Sequence, residues 1–194
     1  MKKIAKLFLG LVLALPVTAT AADNICNYQD KIQKMPFMSD NDFKSFLYSG
    51  QEIDQILVSK DYRRIYFLKD QKVIRSYPAA FGFPRGAKRF QGDLRTPEGV
   101  YYISKKKPDS AYTLALEVSY PNKQDIEYAR SRGKSPGGDI MIHGLPSNRA
   151  DYNRIALIHP KDWTLGCVAV NSQQIREAYD ITAVRTPITI CPMK

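Results

Sequence analysis

The stretch from residue 139 to residue 170 contains two short apolar segments, each next to a chemically reactive side chain. The first reads Ile140-Met141-Ile142-His143-Gly144, and the second reads Trp163-Thr164-Leu165-Gly166-Cys167-Val168-Ala169-Val170. Short runs rich in β-branched residues and bounded by loop residues are typical of buried strands. The stretch therefore predicts one strand ending at His143, a polar loop through residues 146–149, and one strand beginning at Cys167.

Further strand patterns lie on both sides of this stretch. They occupy residues 55–58, 64–68, 73–77, 100–103, 113–118 and 187–190. Helical patterns are short and occupy residues 41–48, 122–132 and 171–179, the last with a possible capping box between Asn171 and Gln174. Because strands dominate, the sequence predicts a mainly β single domain with short helical insertions and a short N-terminal helical segment.

The composition of the 194-residue chain is that of a globular protein with an excess of basic residues. Hydrophobic residues make up 44% and charged residues 25%, which argues against a disordered tail or a coiled coil. The 29 basic and 19 acidic residues give a net charge of +10, which favours a polyanionic or carboxylate-rich partner. The densest basic spots, residues 105–107 and 85–89, do not alternate with aromatic residues. We therefore expect solvated loops there and predict no nucleic-acid partner.

The first 22 residues have the three parts of a secretory signal. A basic start with Lys2, Lys3 and Lys6 precedes an apolar stretch at 7–17 and small residues at 19–21. The apolar stretch is shorter than the roughly 20 residues of a membrane-spanning helix, which disfavours the alternative of an uncleaved anchor. The sequence predicts cleavage after residue 21 or 22, a mature net charge of +7, no membrane span in the mature protein, and a periplasmic or cell-envelope location.

The side chains of Cys167 and His143 are of the types that nucleophilic catalysis requires. The glycine before Cys167 lets a substrate approach the backbone, where successive N–H groups can face an oxyanion. A thiol needs a base to become a thiolate near neutral pH, and a histidine at a strand end can supply it. A structural role for both residues, and His159 as the base, remain alternatives at this point.

Several motifs, in order along the chain, resemble the L,D-transpeptidase catalytic domain family, also called the YkuD domain. The first motif is the hairpin 65–77, and the second is Thr96-Pro97-Glu98-Gly99, which is similar to the family's Thr-Pro-x-Gly turn. Next comes Ile142-His143-Gly144, which is similar to the family's His-Gly. The last is Thr164-Leu165-Gly166-Cys167, which is similar to the family's Ser/Thr-His-Gly-Cys box. The resemblance covers residues 53–191. Leu165 replaces a second histidine and Ala169-Val170 replace the usual Arg or Asn, which indicates a divergent branch with a Trp-Thr-x-Gly-Cys-x-Ala signature.

The resemblance implies a β-sandwich-like catalytic domain with the cysteine in a tunnel-like cleft. The chain would then divide into a signal peptide (1–22), an N-terminal segment (23–52) and a catalytic domain (53–194). Cys167 would be the nucleophile, His143 the general acid and base, and Gly166 part of the oxyanion-hole turn. No cofactor is implied, and two histidines with sparse thiols give no metal-ligand set.

The resemblance also implies that peptidoglycan stem peptides are the substrate, with transpeptidation through an acyl-enzyme. Arg149 and Arg154 are candidates for binding substrate carboxylates, and Trp163 and Thr164 for other substrate contacts. The alternatives are exposed helix-face charges for the arginines and a packing role for Trp163. Two other functions stay open: a thiol amidase that cleaves wall-linked peptides or releases a wall-linked lipoprotein, and a non-catalytic wall-binding protein.

The three cysteines predict one disulfide and one free thiol. An odd number cannot pair fully within one chain, and exposed thiols are at risk in an oxidising compartment. Cys26 and Cys191 lie near the two ends of the domain, and domain termini are often close together. We therefore predict a disulfide between Cys26 and Cys191, with Cys167 free. The alternative is a reduced Cys26 in a mobile tail.

Overall fold

The computed structural model describes residues 26–27, 29–83, 85–158 and 161–193. The signal segment predicted at 1–22 and His159, the alternative base, lie outside these described residues. The strands are β1 Gln55–Ser59, β2 Arg64–Lys69, β3 Lys72–Pro78, β4 Gly99–Ser110, β5 Thr113–Val118, β6 Met141–His143, β7 Val168–Ala169 and β8 Pro187–Cys191. The helices are α1 Gln29–Gln33, α2 Asp40–Tyr48, α3 Lys123–Arg130, α4 Arg149–Ala156 and α5 Ser172–Ile181.

The eight strands of the described chain form one curled sheet in the order β3-β2-β1-β8-β4-β5-β6-β7. Most neighbouring strands are antiparallel, but β1 pairs in parallel with β8 and β6 pairs in parallel with β7. The last strand, β8, lies between β1 and β4, so the first and last strands of the domain are neighbours in the sheet. The parallel pair β6–β7 at one edge brings the segments of His143 and Cys167 side by side.

The sheet is covered on both faces where β1 and β2 lie. Alternate residues of these strands enter a main core that helix α5 covers and a smaller cluster on the opposite face. The main core includes Ile56, Val58, Ile65, Phe67, Ile175 and Ile181, and the smaller cluster includes Leu57, Tyr66, Leu68, Ile32 and Cys191. Burial on both faces explains why these strands are continuous apolar runs instead of alternating apolar and polar residues.

The predicted elements are largely found. The mainly β fold with short helices is confirmed, the strand predicted at 113–118 is β5, and the helix predicted at 41–48 is α2. The capping box at the start of α5 is present, with the Asn171 side chain accepting from Gln174 N–H and the Gln174 side chain accepting from Asn171 N–H. Capping chemistry is local, so the sequence alone specifies it.

One segment differs from the prediction, and one helix was not predicted as an element. The basic residues 105–107 are not in a loop, because β4 extends to Ser110 and pairs with β5, where Lys107 Nζ lies 2.7 Å from Glu117 Oε2. Residues 149–156 form helix α4, capped by Asn148. None of the α4 residues is buried, so the helix has no apolar face that periodicity could reveal.

The turn predicted at residues 96–99 is absent, because residues 96–98 are irregular and β4 begins at Gly99. Thr96 is buried, and its Oγ1 accepts a hydrogen bond of 3.0 Å from the backbone N–H of Gly82. The chain enters β4 at Gly99 with φ +136°. Among the described residues, no helix combines the length and the apolar character that crossing a bilayer requires.

Candidate active site

Strands β6 and β7 position the two reactive side chains. In their parallel register His143 is the partner of Ala169, so Cys167, two residues earlier, lies level with Met141. The Cys167 thiol contacts the carbonyl oxygen of Asp139 at 3.5 Å and accepts from the backbone N–H of Met141. Cys167 and His143 both line one cavity of about 500 Å³. The fold therefore brings both reactive groups to the same solvent-accessible space.

Four parts of the chain enclose this cavity. One wall is the segment before and within β6, and the facing wall is the loop that leads to Cys167. The β4–β5 turn and helix α4 close two further sides. The lining residues are Lys88, Ser110, Tyr112, Gly138, Asp139, Ile140, Met141, His143, Pro146, Asp151, Arg154, Ile155, Trp163, Thr164, Leu165 and Cys167.

The Cys167 thiol is neutral at rest. Burial raises the pKa of Cys167 above its ordinary value, and the negative charge of Asp139 acts in the same direction. The backbone N–H of Met141 and the ammonium of Lys88 act to lower this pKa without reversing the net shift. Since a thiolate is the reactive form, this site needs a proton acceptor next to the sulfur.

His143 is held in an orientation that suits this task. The side chain is buried, and Nδ1 lies 2.7 Å from the carbonyl oxygen of Gly144. A carbonyl oxygen can only accept, so Nδ1 carries the hydrogen and the neutral ring has its lone pair on Nε2. The rings of Tyr112 and Trp163 pack against the imidazole, with centroids 4.5 Å and 5.6 Å away. These contacts fix the plane of the ring.

The residue before the cysteine must be glycine for two reasons. Gly166 has φ +133°, a conformation that side chains disfavour. A Cβ atom at this position would also lie 2.7 Å from the carbonyl oxygen of Arg95 and 3.2 Å from Ile140 Cδ1. The same close packing occurs at Gly82, where a Cβ atom would lie 2.7 Å from Gly166 N. The backbone segments at Gly82, Arg95 and Gly166 are thus in close contact next to the cysteine.

Side-chain hydrogen bonds hold the loop that leads to the cysteine. Thr164 is buried, and its Oγ1 donates to the carbonyl oxygen of Cys167 at 2.8 Å and accepts from Gly166 N–H at 3.2 Å. Asp162 Oδ1 accepts from the backbone N–H of Phe81 at 3.0 Å and from Arg63 Nη1 at 2.6 Å. The hydroxyl of Thr164 is therefore used within the loop, and Asp162 anchors the loop to the sheet.

The order of these motifs and the fold that carries them match one known family. The sequence matches the YkuD family, described as the L,D-transpeptidase catalytic domain, over residues 53–190, which is more than half of the chain. The chain belongs to the L,D-transpeptidase catalytic domain family. The sequence-based resemblance is thereby confirmed.

One relative in sequence and two solved structures illustrate what this chain is similar to. YafK of Escherichia coli (strain K12), named as a candidate L,D-transpeptidase, is 31% identical over 116 residues, covering 59% of this chain and 37% of YafK. The helical cell shape determining protein Pgp2 of Campylobacter jejuni superposes with a TM-score of 0.52 at 22% identity, covering 78% of this chain and 56% of that one. Bd1075 of Bdellovibrio bacteriovorus gives 0.50 at 25% identity, covering 75% and 49%. This chain spans about a third to a half of their lengths.

In this L,D-transpeptidase domain the two candidate arginines occupy different places. Arg154 lines the cavity and pairs with Asp151, its Nη2 lying 3.1 Å from Asp151 Oδ1, and both side chains are largely exposed. Arg149 is the first residue of α4 and is not among the described residues that line the cavity. Trp163 lines the cavity and packs edge-on against His143, so it also shapes the surroundings of the imidazole.

Sequence reasoning missed two residues that line the candidate site. Tyr112 gave no signal because the β4–β5 turn contacts His143 only after folding. Lys88 was expected in a solvated loop but is 5% exposed and lines the cavity. Its Nζ donates to Phe90 O at 2.9 Å and to Asp93 Oδ1 at 3.0 Å. The sequence held one signal of this burial, namely that Lys88 lies five residues before Asp93, with which it could pair.

The cysteines divide as predicted. The structure joins Cys26 to Cys191 in a disulfide with a Cα–Cα distance of 5.4 Å, and Cys167 is the free cysteine of the described chain. The disulfide lies in the smaller apolar cluster of the sheet, whereas Cys167 faces the cavity. Within the described ranges, no group of three or more histidine, cysteine and carboxylate side chains could hold a metal ion.

Proposed function

We propose that this chain is an exported cysteine L,D-transpeptidase that acts on peptidoglycan stem peptides. The observation that carries the proposal is the shared cavity of Cys167 and His143, in which the thiol is neutral and the imidazole is oriented by Gly144 O. Membership of a family that acts on peptidoglycan supports the choice of substrate. The signal pattern in the sequence supports the proposed export to the periplasm or cell envelope.

Acylation begins with transfer of the thiol proton of Cys167 to Nε2 of His143. The sulfur attacks the carbonyl carbon of the L-centre of diaminopimelate in a stem tetrapeptide. The C–N bond to the terminal D-Ala then breaks, and His143 returns the proton to the leaving amine. The products of this step are free D-Ala and a thioester on Cys167.

The tetrahedral intermediate carries a negative oxygen that needs hydrogen-bond donors. Gly166 N–H is directed to Thr164 Oγ1, so the backbone N–H of Cys167 is the donor proposed for the oxyanion. The positive φ of Gly166 (+133°) sets the turn of the backbone that precedes this N–H. In this proposal Arg154 and Trp163 contact the stem peptide at the cavity wall.

The acyl-enzyme is resolved by an amine or by water. An amine from a second stem peptide gives a new cross-link, and water gives net cleavage, as in the thiol amidase alternative. Both outcomes remodel the cell wall, and the structural relative Pgp2 is a protein that determines helical cell shape. We propose wall cross-linking or remodelling for this chain.

Two measurements test the proposal. The protein and its Cys167→Ala variant are incubated with purified sacculi, and the muropeptides are separated and identified. New 3-3 cross-links or exchanged D-amino acids that require Cys167 support the transpeptidase, whereas net loss of linked peptides indicates the amidase. The intact mass after exposure to a carbapenem is the second measurement. An adduct on Cys167 supports the acyl-enzyme, and its absence would favour the non-catalytic wall-binding protein.

A further inference from the structure

A second surface of the molecule concentrates positive charge on aromatic rings. The rings of Phe90 and Tyr128 lie 5.9 Å apart between centroids. Arg89 and Arg132 stack on Tyr128, with Cζ 4.6 Å and 3.7 Å from the ring centroid, and Lys134 Nζ lies 4.5 Å from the centroid of Phe90. We call these five residues the basic-aromatic surface.

The three cations of the basic-aromatic surface are exposed. The buried carboxylate of Asp125 interacts electrostatically with Arg89 but does not form an ion pair with it. Among the described residues, no carboxylate lies within ion-pair distance of Arg89, Arg132 or Lys134. Stacking of a guanidinium on a ring fixes its plane and leaves N–H groups along its edge for a carboxylate. Three such cations so close together repel one another, and a bound anion relieves that repulsion.

The basic-aromatic surface is continuous with the wall of the cavity. Gln91, the residue after Phe90, donates its backbone N–H to Ser135 O at 2.8 Å. A Cβ atom on Gly137 would lie 3.2 Å from the Cα of Gln91. Residues 88–91 and residues 135–139 therefore run side by side from the basic-aromatic surface to the cavity. Lys88 of the first segment and Gly138 and Asp139 of the second line the cavity.

We propose that the basic-aromatic surface binds carboxylates of the peptidoglycan strand that lie outside the cavity. This inference rests on the proposed function, because a stem peptide in the cavity belongs to a polymer that carries further carboxylates at regular intervals. The strand leaving the cavity along residues 88–91 and 135–139 meets Arg89, Arg132 and Lys134. The surface would thus increase affinity for the polymer over affinity for an isolated stem peptide.

The experiment measures binding to purified sacculi in the Cys167→Ala background, so that turnover does not interfere. The surface variant combines R89Q, R132Q and K134Q. The control variant combines K34Q, K44Q and K72Q, which removes the same charge from exposed lysines near α1, α2 and β3, at the far edge of the sheet. We expect the surface variant to bind about tenfold more weakly at low salt and the control to change by less than about twofold.

Two further readouts separate this inference from the proposed function and from misfolding. In the protein that retains Cys167, the rate of carbapenem acylation should be the same with and without the surface substitutions. The double variant R132Q/K134Q changes only exposed side chains after α3. It removes two of the three charges, so its loss of log affinity for sacculi should be about two-thirds of that of the triple variant, with an unchanged melting temperature. If the wild type makes no change in muropeptides but the surface variant still loses sacculus binding, the proposed function fails and this inference stands.

Three outcomes would overturn the inference. Equal binding of the surface and control variants to sacculi would show that position is unimportant and that only total charge matters. Equal weakening for an isolated stem tetrapeptide and for sacculi would place the contact inside the cavity. Unchanged sacculus binding with lost binding to vesicles of anionic phospholipid would assign the surface to a phosphate-bearing partner.

Discussion

At the scale of single residues, the proposed mechanism makes the reactivity of the Cys167 thiol depend on His143. The raised pKa of Cys167 means that the thiolate fraction near neutral pH is below that of an ordinary cysteine. His143, oriented by Gly144 O, is the histidine that lines the cavity, and it is the proton acceptor that we propose for the thiol. In such a cysteine–histidine pair, the thiol proton moves to the imidazole only when the sulfur attacks the substrate.

Removing the imidazole of His143 tests this proton transfer. His143→Ala should slow carbapenem acylation of Cys167 by about 10²–10⁴-fold, the usual contribution of a positioned acid–base group. In that variant the alkylation rate with iodoacetamide should rise with pH only above the ordinary thiol pKa of about 8.5, because burial has raised the pKa. His159→Ala is the control and should change the rate much less. If His159→Ala slowed acylation more than His143→Ala, the assignment of the base to His143 would be wrong.

Gly166 permits a separation of backbone strain from steric contact. Gly166→Ala should lower the free energy of unfolding by about 1–3 kcal/mol and abolish activity, because its Cβ would contact Arg95 O at 2.7 Å. Gly133→Ala is the control without a steric contact, since Gly133 has the milder positive φ of +64° and no atom within 4 Å of its added Cβ, so its loss should be smaller. Urea unfolding of both variants checks the prediction. Equal losses would mean that the contact with Arg95 contributes nothing.

At the scale of elements, the loop 88–96 supports the turn at Gly166. Asp93 accepts from the backbone N–H groups of Arg89, Phe90 and Arg95 and from the ammonium of Lys88. Arg95 in turn presents its carbonyl oxygen to Gly166. The carboxylate of Asp93 therefore holds together the loop on which the cysteine turn rests.

This loop should give the domain a measurable acid sensitivity. Burial acts to raise the pKa of Asp93, but the hydrogen bonds outweigh it, so the pKa lies below its ordinary value. A lowered pKa in the folded state stabilises the protein above the unfolded pKa of about 3.9, and this contribution is lost as pH falls through the folded pKa. Asp93→Asn should therefore lower stability at pH 7 and flatten the loss of stability below pH 4. Melting temperatures across pH 2–7 measure both effects, and parallel curves for the two proteins would contradict the prediction.

At the scale of the whole molecule, the Cys26–Cys191 disulfide fastens the N-terminal segment to the last strand. The bridged residues are 165 apart in sequence, and Cys191 is buried in the cluster that α1 covers. Closing so long a loop restricts the unfolded chain, and the chain-entropy model gives roughly 4–5 kcal/mol as an upper estimate. The bridge also removes both other thiols from reaction with Cys167.

Reduction should therefore lower the melting temperature of the wild type by several degrees. The double variant Cys26→Ser/Cys191→Ser should melt at the lower temperature with or without reductant, because it has no bridge to lose. Thiol counting on the denatured, unreduced protein is the direct check. One reactive thiol fits the bridge, and three would refute it.

The sequence by itself determined the elements and the chemistry that depend on local pattern. The apolar runs around His143 and Cys167, the strand at 113–118 and the capping box at Asn171 all follow from neighbouring residues, and each lies where it was predicted. The Cys26–Cys191 pairing also followed from the number of cysteines and their positions near the termini. Motif order was enough to indicate the family.

Only the tertiary structure decided which distant residues join these elements in one site. Lys88 and Tyr112 reach the cavity from segments 55 to 79 residues away from Cys167, and no local pattern records such contacts. Helix α4 has no buried side chain and hence no apolar period, and the burial of Lys88 depends on its pairing with Asp93. Periodicity and capping depend on near neighbours, whereas a cavity depends on which strands pair, and that is settled by packing of the whole sheet.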